Sequence, residues 1–134
     1  MKWSAWHHDG FTDRLLNYDL QGEDDIAELE ASWFSLNNTR TGPKRRWRSI
    51  FSIDDAPLRA ALPQLRLLNK SYDCGMDDVG SQSLTVEIHG EKLECTVNGG
   101  GLLLKKHPEL EPLLEVLWRL HDQVLAHIKE NYEG

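Results

Sequence analysis

The sequence predicts one α+β domain spanning residues 1–134. It has an antiparallel sheet of about five strands in the order β-β-β-α-β-β-α, a short kinked helix, and a long C-terminal amphipathic helix packed on one face. Three observations predict it. Two alternating apolar segments, Leu84–Ile88 and Leu93–Val97, flank Gly90-Glu91. Two further strand-like segments, 26–36 and 46–53, flank a loop rich in Asn, Thr, Gly and Pro. Leu113, Leu117, Leu120, Val124 and Ile128 recur at helical spacing.

The first dozen residues carry Trp3, Trp6 and Phe11 with no clear period, and residues 1–13 read as an edge strand or a lid on the core. Leu16, Tyr18 and Leu20 alternate with Asn17 and Asp19, which is a half-buried strand. Gln21 to Asp25 is a turn. Ile26 to Leu36 suits a helix by composition, but Ala27, Leu29, Ala31 and Trp33 alternate with Glu28, Glu30 and Ser32, and the flanking turns favour a strand. In Arg46 to Ile53, Trp47, Phe51 and Ile53 oppose Arg46, Arg48 and Ser52. A hairpin of these two segments places Glu28 and Glu30 on the face of Arg46 and Arg48.

Asp54-Asp55-Ala56-Pro57 starts a helix, with a carboxylate cap and a proline in the first turn. Leu58, Leu62, Leu65 and Leu68 form its stripe, and Pro63 interrupts it. Residues 69–82 read as a polar loop. In the hairpin that follows, a glycine-first loop Gly90-Glu91 of type II′ sets Ile88 against Leu93 and Glu87 against Glu94. Gly99-Gly100-Gly101 ends that strand or bulges it. His107 to Pro112 opens the last helix, whose stripe Leu114, Trp118 and Leu125 widen.

Composition excludes several classes. Hydrophobic residues at 40% and charged residues at 28% permit a packed core. The formal charge of −7 argues against a generally basic nucleic-acid binder. No apolar run approaches the about 20 residues of a membrane helix. Met1–His8 has no apolar stretch of the signal-peptide kind. Cys74 and Cys95 are the only cysteines, so reduced thiols in the cytoplasm are expected. The negative charge is uneven: residues 1–76 carry 11 acids and 10 bases, residues 77–134 carry 11 acids and 5 bases.

No catalytic constellation emerges, and no cofactor or metal is expected. The histidines lack metal-ligand spacing. The loop with Asp73, Asp77 and Asp78 lacks the pattern of a calcium loop. Glu87 and Glu94, opposed on an outer face, invite a cation from Lys92, another side chain of the chain, or a partner's Arg or Lys. With Glu91, Asp77 and Asp78 they form the expected electrostatic face, and Trp3 or Trp6 is the expected aromatic anchor. These traits suit a non-enzymatic protein-binding protein. The concrete expectation is an immunity protein or inhibitor that neutralises a cognate basic bacterial toxin or effector by occlusion. Two alternatives stand beside it: a small enzyme or metal-binding protein using the Asp73–Asp78 loop, and an RNA-associated protein using the basic stripe at 40–48. Glu28 and Glu30 are expected to neutralise two bases of that stripe.

Overall fold

The computed structural model describes residues 1–10, 16–34, 44–76 and 79–132. The order is β1 (Lys2–His8), β2 (Asn17–Glu23), β3 (Ile26–Trp33), β4 (Arg45–Ser52), α1 (Ala56–Leu65), β5 (Ser71–Asp73), β6 (Ser81–Ile88) and β7 (Glu91–Asn98). A short α2 (Gly100–Leu103), a 3₁₀ turn (Pro108–Leu110) and α3 (Glu111–Asn131) complete it. The expected α+β class holds, but the sheet has seven strands in the order β4-β3-β2-β1-β6-β7-β5.

Two strands account for the difference. β1 is central rather than an edge or a lid: it pairs antiparallel with both β2 and β6 along its whole length. Trp3, Ala5 and His7 alternate into the core while Lys2, Ser4 and Trp6 point outward. β5 falls inside the segment expected as loop and pairs parallel with β7. Only Tyr72 of its three residues is buried, too short a signal for any periodicity.

The β6–β7 hairpin forms, in a different register. His89 (φ 50°) and Gly90 (φ 76°) are the two loop residues, both left-handed as a type I′ turn requires. Histidine is among the few non-glycine residues enriched in that region. Ile88 therefore faces Glu91, Glu87 faces Lys92, and Glu94 faces Thr85. The expected and observed registers differ by two residues, one full side-chain period, so both keep Leu84, Val86, Leu93 and Cys95 on the core face. Alternation cannot separate them; the turn does. The like-charge opposition expected of Glu87 and Glu94 is absent.

α1 and α3 cover one face of the sheet. α1 runs on through Pro63, with Leu58, Ala61 and Leu65 buried. Its entry is held by the Asp54 carboxylate, which accepts from the Ala56 N–H at 3.1 Å, and by the Asp55–Arg59 pair at 2.9 Å. α3 buries Leu113, Leu117, Leu120, Val124 and Ile128 as its period requires. Trp118, expected in that stripe, is 52% exposed on its flank. Trp33 is fully in the core, while Trp47 is half-buried against Tyr132 and His127.

Candidate functional site

The face of the sheet opposite α1 and α3 carries the side chains that alternate away from the core. Pairing across the strands arranges them in rows. One row runs Arg48, Glu30, Asp19, Trp6, Ser83, Thr96. The next runs Ile50, Glu28, Gln21, Ser4, Thr85, Glu94, and a third Ile26, Glu23, Lys2, Glu87, Lys92. Directly opposed side chains interact across a sheet, so row composition decides local charge. The third row alternates in sign and balances itself. The first two do not. Asp19 directly opposes Glu30, and among the described residues Glu30 pairs with Arg48 at 3.2 Å. Glu28 faces the neutral Ile50 and Gln21. The negative charge of these rows centres on Asp19, Glu28 and Glu30, between Trp6 and Ile50, with Lys44, Arg46 and Arg48 lining a depression shared with Asp19 and Glu30. A shallow depression of 780 Å³ lies there, lined by Asp19, Gln21, Glu28, Glu30, Arg48 and Ile50. A second, of 460 Å³, adjoins it over Lys2, Glu23 and Glu87. Ile26 and Ile50 are 46% and 66% exposed.

Of the residues expected to form a binding face, Glu87, Glu94 and Trp6 lie on this surface. Lys92 sits opposite Glu87 in the register and pairs with Glu94 at 4.0 Å. Glu91 does not join them. Its position in β7 points to the helical side, where both carboxylate oxygens lie 3.2 Å from Arg66 Nε. Trp3 is 3% exposed, with its indole N–H donating to the Asp24 carbonyl at 3.0 Å, and is not available as an anchor. Asp77 and Asp78 lie outside the described residues. Asp19, Glu28 and Glu30 are not among the acids expected on the binding face; Glu28 and Glu30 are expected only as partners of the basic stripe. Their outward alternation was visible, but only long-range pairing brings them beside Trp6.

The basic stripe is partly spent within the fold. The Arg45 guanidinium donates to the Phe34 carbonyl at 2.6 Å, and Lys44 lies 5.9 Å over the Phe34 ring. Only one of the two expected carboxylates, Glu30, pairs with an arginine of β4; Glu28 faces Ile50 instead. Arg40 lies outside the described residues.

The other polar concentration is internal. His7 Nε2 lies 2.7 Å from Asp9 Oδ1, and Asp9 Oδ2 accepts from the Leu16 N–H at 2.8 Å. The Gln82 amide reaches His7 Nδ1 at 3.3 Å, and Tyr18 shares a 3.0 Å hydrogen bond with His121 Nδ1. Burial, aided by Asp9 and Asp122, pushes the Tyr18 phenol far above its ordinary value and keeps it neutral. His7 and His121 are 5% and 8% exposed, their rings 4.5 Å apart. These groups bond one another beneath α3 and brace it on β1 and β2. Asp73, the first acid of the loop named in the alternative reading as an enzyme or metal site, organises a turn. Hydrogen bonds from the Gly75 N–H and the Asn98 amide hold its carboxyl below the usual range. Among the described residues no group of three His, Cys, Asp or Glu side chains is placed to hold a metal.

No protein-family model matches the chain, and no curated protein sequence is significantly similar to it. Among the described residues no helix is long and apolar enough to cross a membrane.

Proposed function

We propose that this chain is a small non-enzymatic binding protein whose open sheet face takes a basic protein surface. The most concrete version is a cytoplasmic immunity protein or inhibitor that neutralises a cognate bacterial toxin or effector by occlusion. The observation that carries it is the placement of Asp19, Glu28 and Glu30 beside Trp6, Ile26 and Ile50 on one face that no described element covers. Strand spacing and rise give that face a footprint of roughly 29 by 25 Å, about 700 Å², close to one side of a standard interface. Acid for steering and apolar side chains for contact are what such a surface needs. The charge of −7 adds a long-range field favouring a basic partner.

The test is a comparison of the native chain with an Asp19→Lys/Glu28→Lys variant. Native protein immobilised at low salt should retain a basic protein that the variant releases. With that protein purified, association should slow by about tenfold or more in the variant and fall with ionic strength for the native chain. Equal association rates for the two chains at low salt would reject this face.

A further inference from the structure

Trp6 is half-buried on the open sheet face, in the row that runs Arg48, Glu30, Asp19, Trp6. Its direct neighbour across β1–β2 is the exposed Asp19, so an indole and a carboxylate stand side by side on backbones about 5 Å apart. The row carries one cation for two acids. Arg48 pairs with Glu30 at 3.2 Å, whereas Asp19 makes no ion pair among the described residues. Lys44 and Arg46 line a depression with Asp19 on its β4 side. On its other side, β1 brings Ser4, Trp6 and His8 within reach. The His8 ring lies against the indole, with centroids 4.7 Å apart and planes at 33°. The outward residue on the far side of Trp6 along the strand is Ser4, too small to cover an indole.

We propose that Trp6 and Asp19 form an arginine-reading site: a guanidinium of the partner lies on the indole over Ser4 and donates two N–H groups to the Asp19 carboxylate. This deepens the reading of the face as a surface for a basic protein and rests on it. The chemistry selects arginine over lysine. A guanidinium is planar and weakly hydrated, so it stacks on a ring while its fork of donors still reaches a carboxylate beside that ring. An ammonium is a compact, strongly hydrated charge, which gains from the ring only by giving up water and has no fork to offer the acid. The stacked arginine also supplies the cation that the row lacks, repeating beside Asp19 what Arg48 does beside Glu30. Ser4 and its neighbours across the strands, Gln21 and Thr85, are neutral and do not repel it.

Hexa-arginine and hexa-lysine, equal in charge, separate this site from the general field. Each is titrated into the native chain at low salt and mildly alkaline pH, and the indole N–H resonances are followed by NMR. Hexa-arginine should move the Trp6 resonance ahead of those of the buried Trp3 and Trp33, and should bind about threefold more tightly than hexa-lysine. Trp6→Ala should remove most of that preference. Asp19→Asn, which keeps the shape of the side chain, should reduce it too, and an unmoved Trp3 resonance in both variants shows the sheet intact. The Asp19→Lys/Glu28→Lys variant reports on the face itself. If it weakens both peptides while the native chain does not distinguish them, or while Trp6→Ala leaves the preference unchanged, the face stands and the arginine site is overturned. If neither peptide binds the native chain more tightly than that variant, the reading of the face fails and the site fails with it.

Discussion

Replacing Gly22 by alanine tests the assignment of Trp3 to the core. Gly22 sits opposite Trp3 in the β1–β2 pair, and the indole occupies the space a side chain there would need. A Cβ built at Gly22 falls 1.9 Å from Trp3 Cε2, 2.2 Å from Cζ2 and 2.3 Å from Nε1. Carbon atoms rest at about 3.5–4.0 Å, so the ring must move by roughly 1.5–2 Å. It has little room, being 3% exposed and paired on its other side with Val86, which is fully buried. Movement also breaks the 3.0 Å bond from Nε1 to the Asp24 carbonyl, which ties the indole to the β2–β3 turn. Overpacking of this kind costs about 1–3 kcal/mol and the lost hydrogen bond about 1 kcal/mol. Alanine recovers about 0.4–1 kcal/mol through the unfolded chain. The net expectation is a loss of about 1–3.5 kcal/mol, a sizeable part of the stability of an ordinary domain. Urea unfolding followed by circular dichroism measures it, and a double-mutant cycle with Trp3→Leu isolates the cause. The clash vanishes with the indole, so Gly22→Ala should cost almost nothing in the Trp3→Leu background. A Gly22→Ala change within about 0.5 kcal/mol of the native chain, or additive costs in the cycle, would refute the reasoning.

Two further predictions concern single side chains. Cys74 and Cys95 are both free thiols, but Cys95 is 2% exposed and burial pushes its thiol up to about 11. Iodoacetamide at mild alkaline pH should add one group to the native protein, at Cys74, and a second only in denaturant; prompt double labelling of native protein would contradict this. His127 stacks on Phe51 at 4.2 Å and on Trp47 at 5.2 Å, accepts at Nδ1 from the Asn131 amide, and donates from Nε2 to Ser49. Burial holds its pKa below the ordinary histidine value, against the opposing charge of Glu130. The folded state thus disfavours the proton. Its contribution is complete above about pH 6.5 and is lost as pH falls toward the lowered native value. A proton-NMR titration should place His127 below free histidine, and the stability difference between native chain and His127→Asn should shrink on acidification. A titration above the free value would show the packing to be otherwise.

The residues that sequence reasoning placed well are those governed by local period. Tyr18 and Leu20 against Asp19, Leu29 and Trp33 against Glu28 and Glu30, and the α3 stripe all face as expected. The residues it misplaced depend on neighbours far along the chain. Trp3 looked like an anchor because nothing nearby explains a tryptophan there; the backbone of Gly22, nineteen positions on, does. Trp118 lies one residue past Leu117, on the flank of its stripe, and whether that flank meets the sheet depends on how α3 rolls against it. The candidate site was legible only in pieces. Outward Glu28 and Glu30 could be read, but not that Asp19 and Trp6 lie beside them, because that requires β1 between β2 and β6.

By itself the chain specified its class, its two longer helices, most of its strands and the core-facing side of those with a clear period. Those follow from steric periods of two and 3.6 residues that act over a few neighbours. Strand order, the central place of β1, the parallel β5 and the β6–β7 register came only with the tertiary structure. Backbone hydrogen bonds are alike at every residue, and registers two apart bury the same side chains. The choice among them therefore falls to turn geometry and to packing between distant segments.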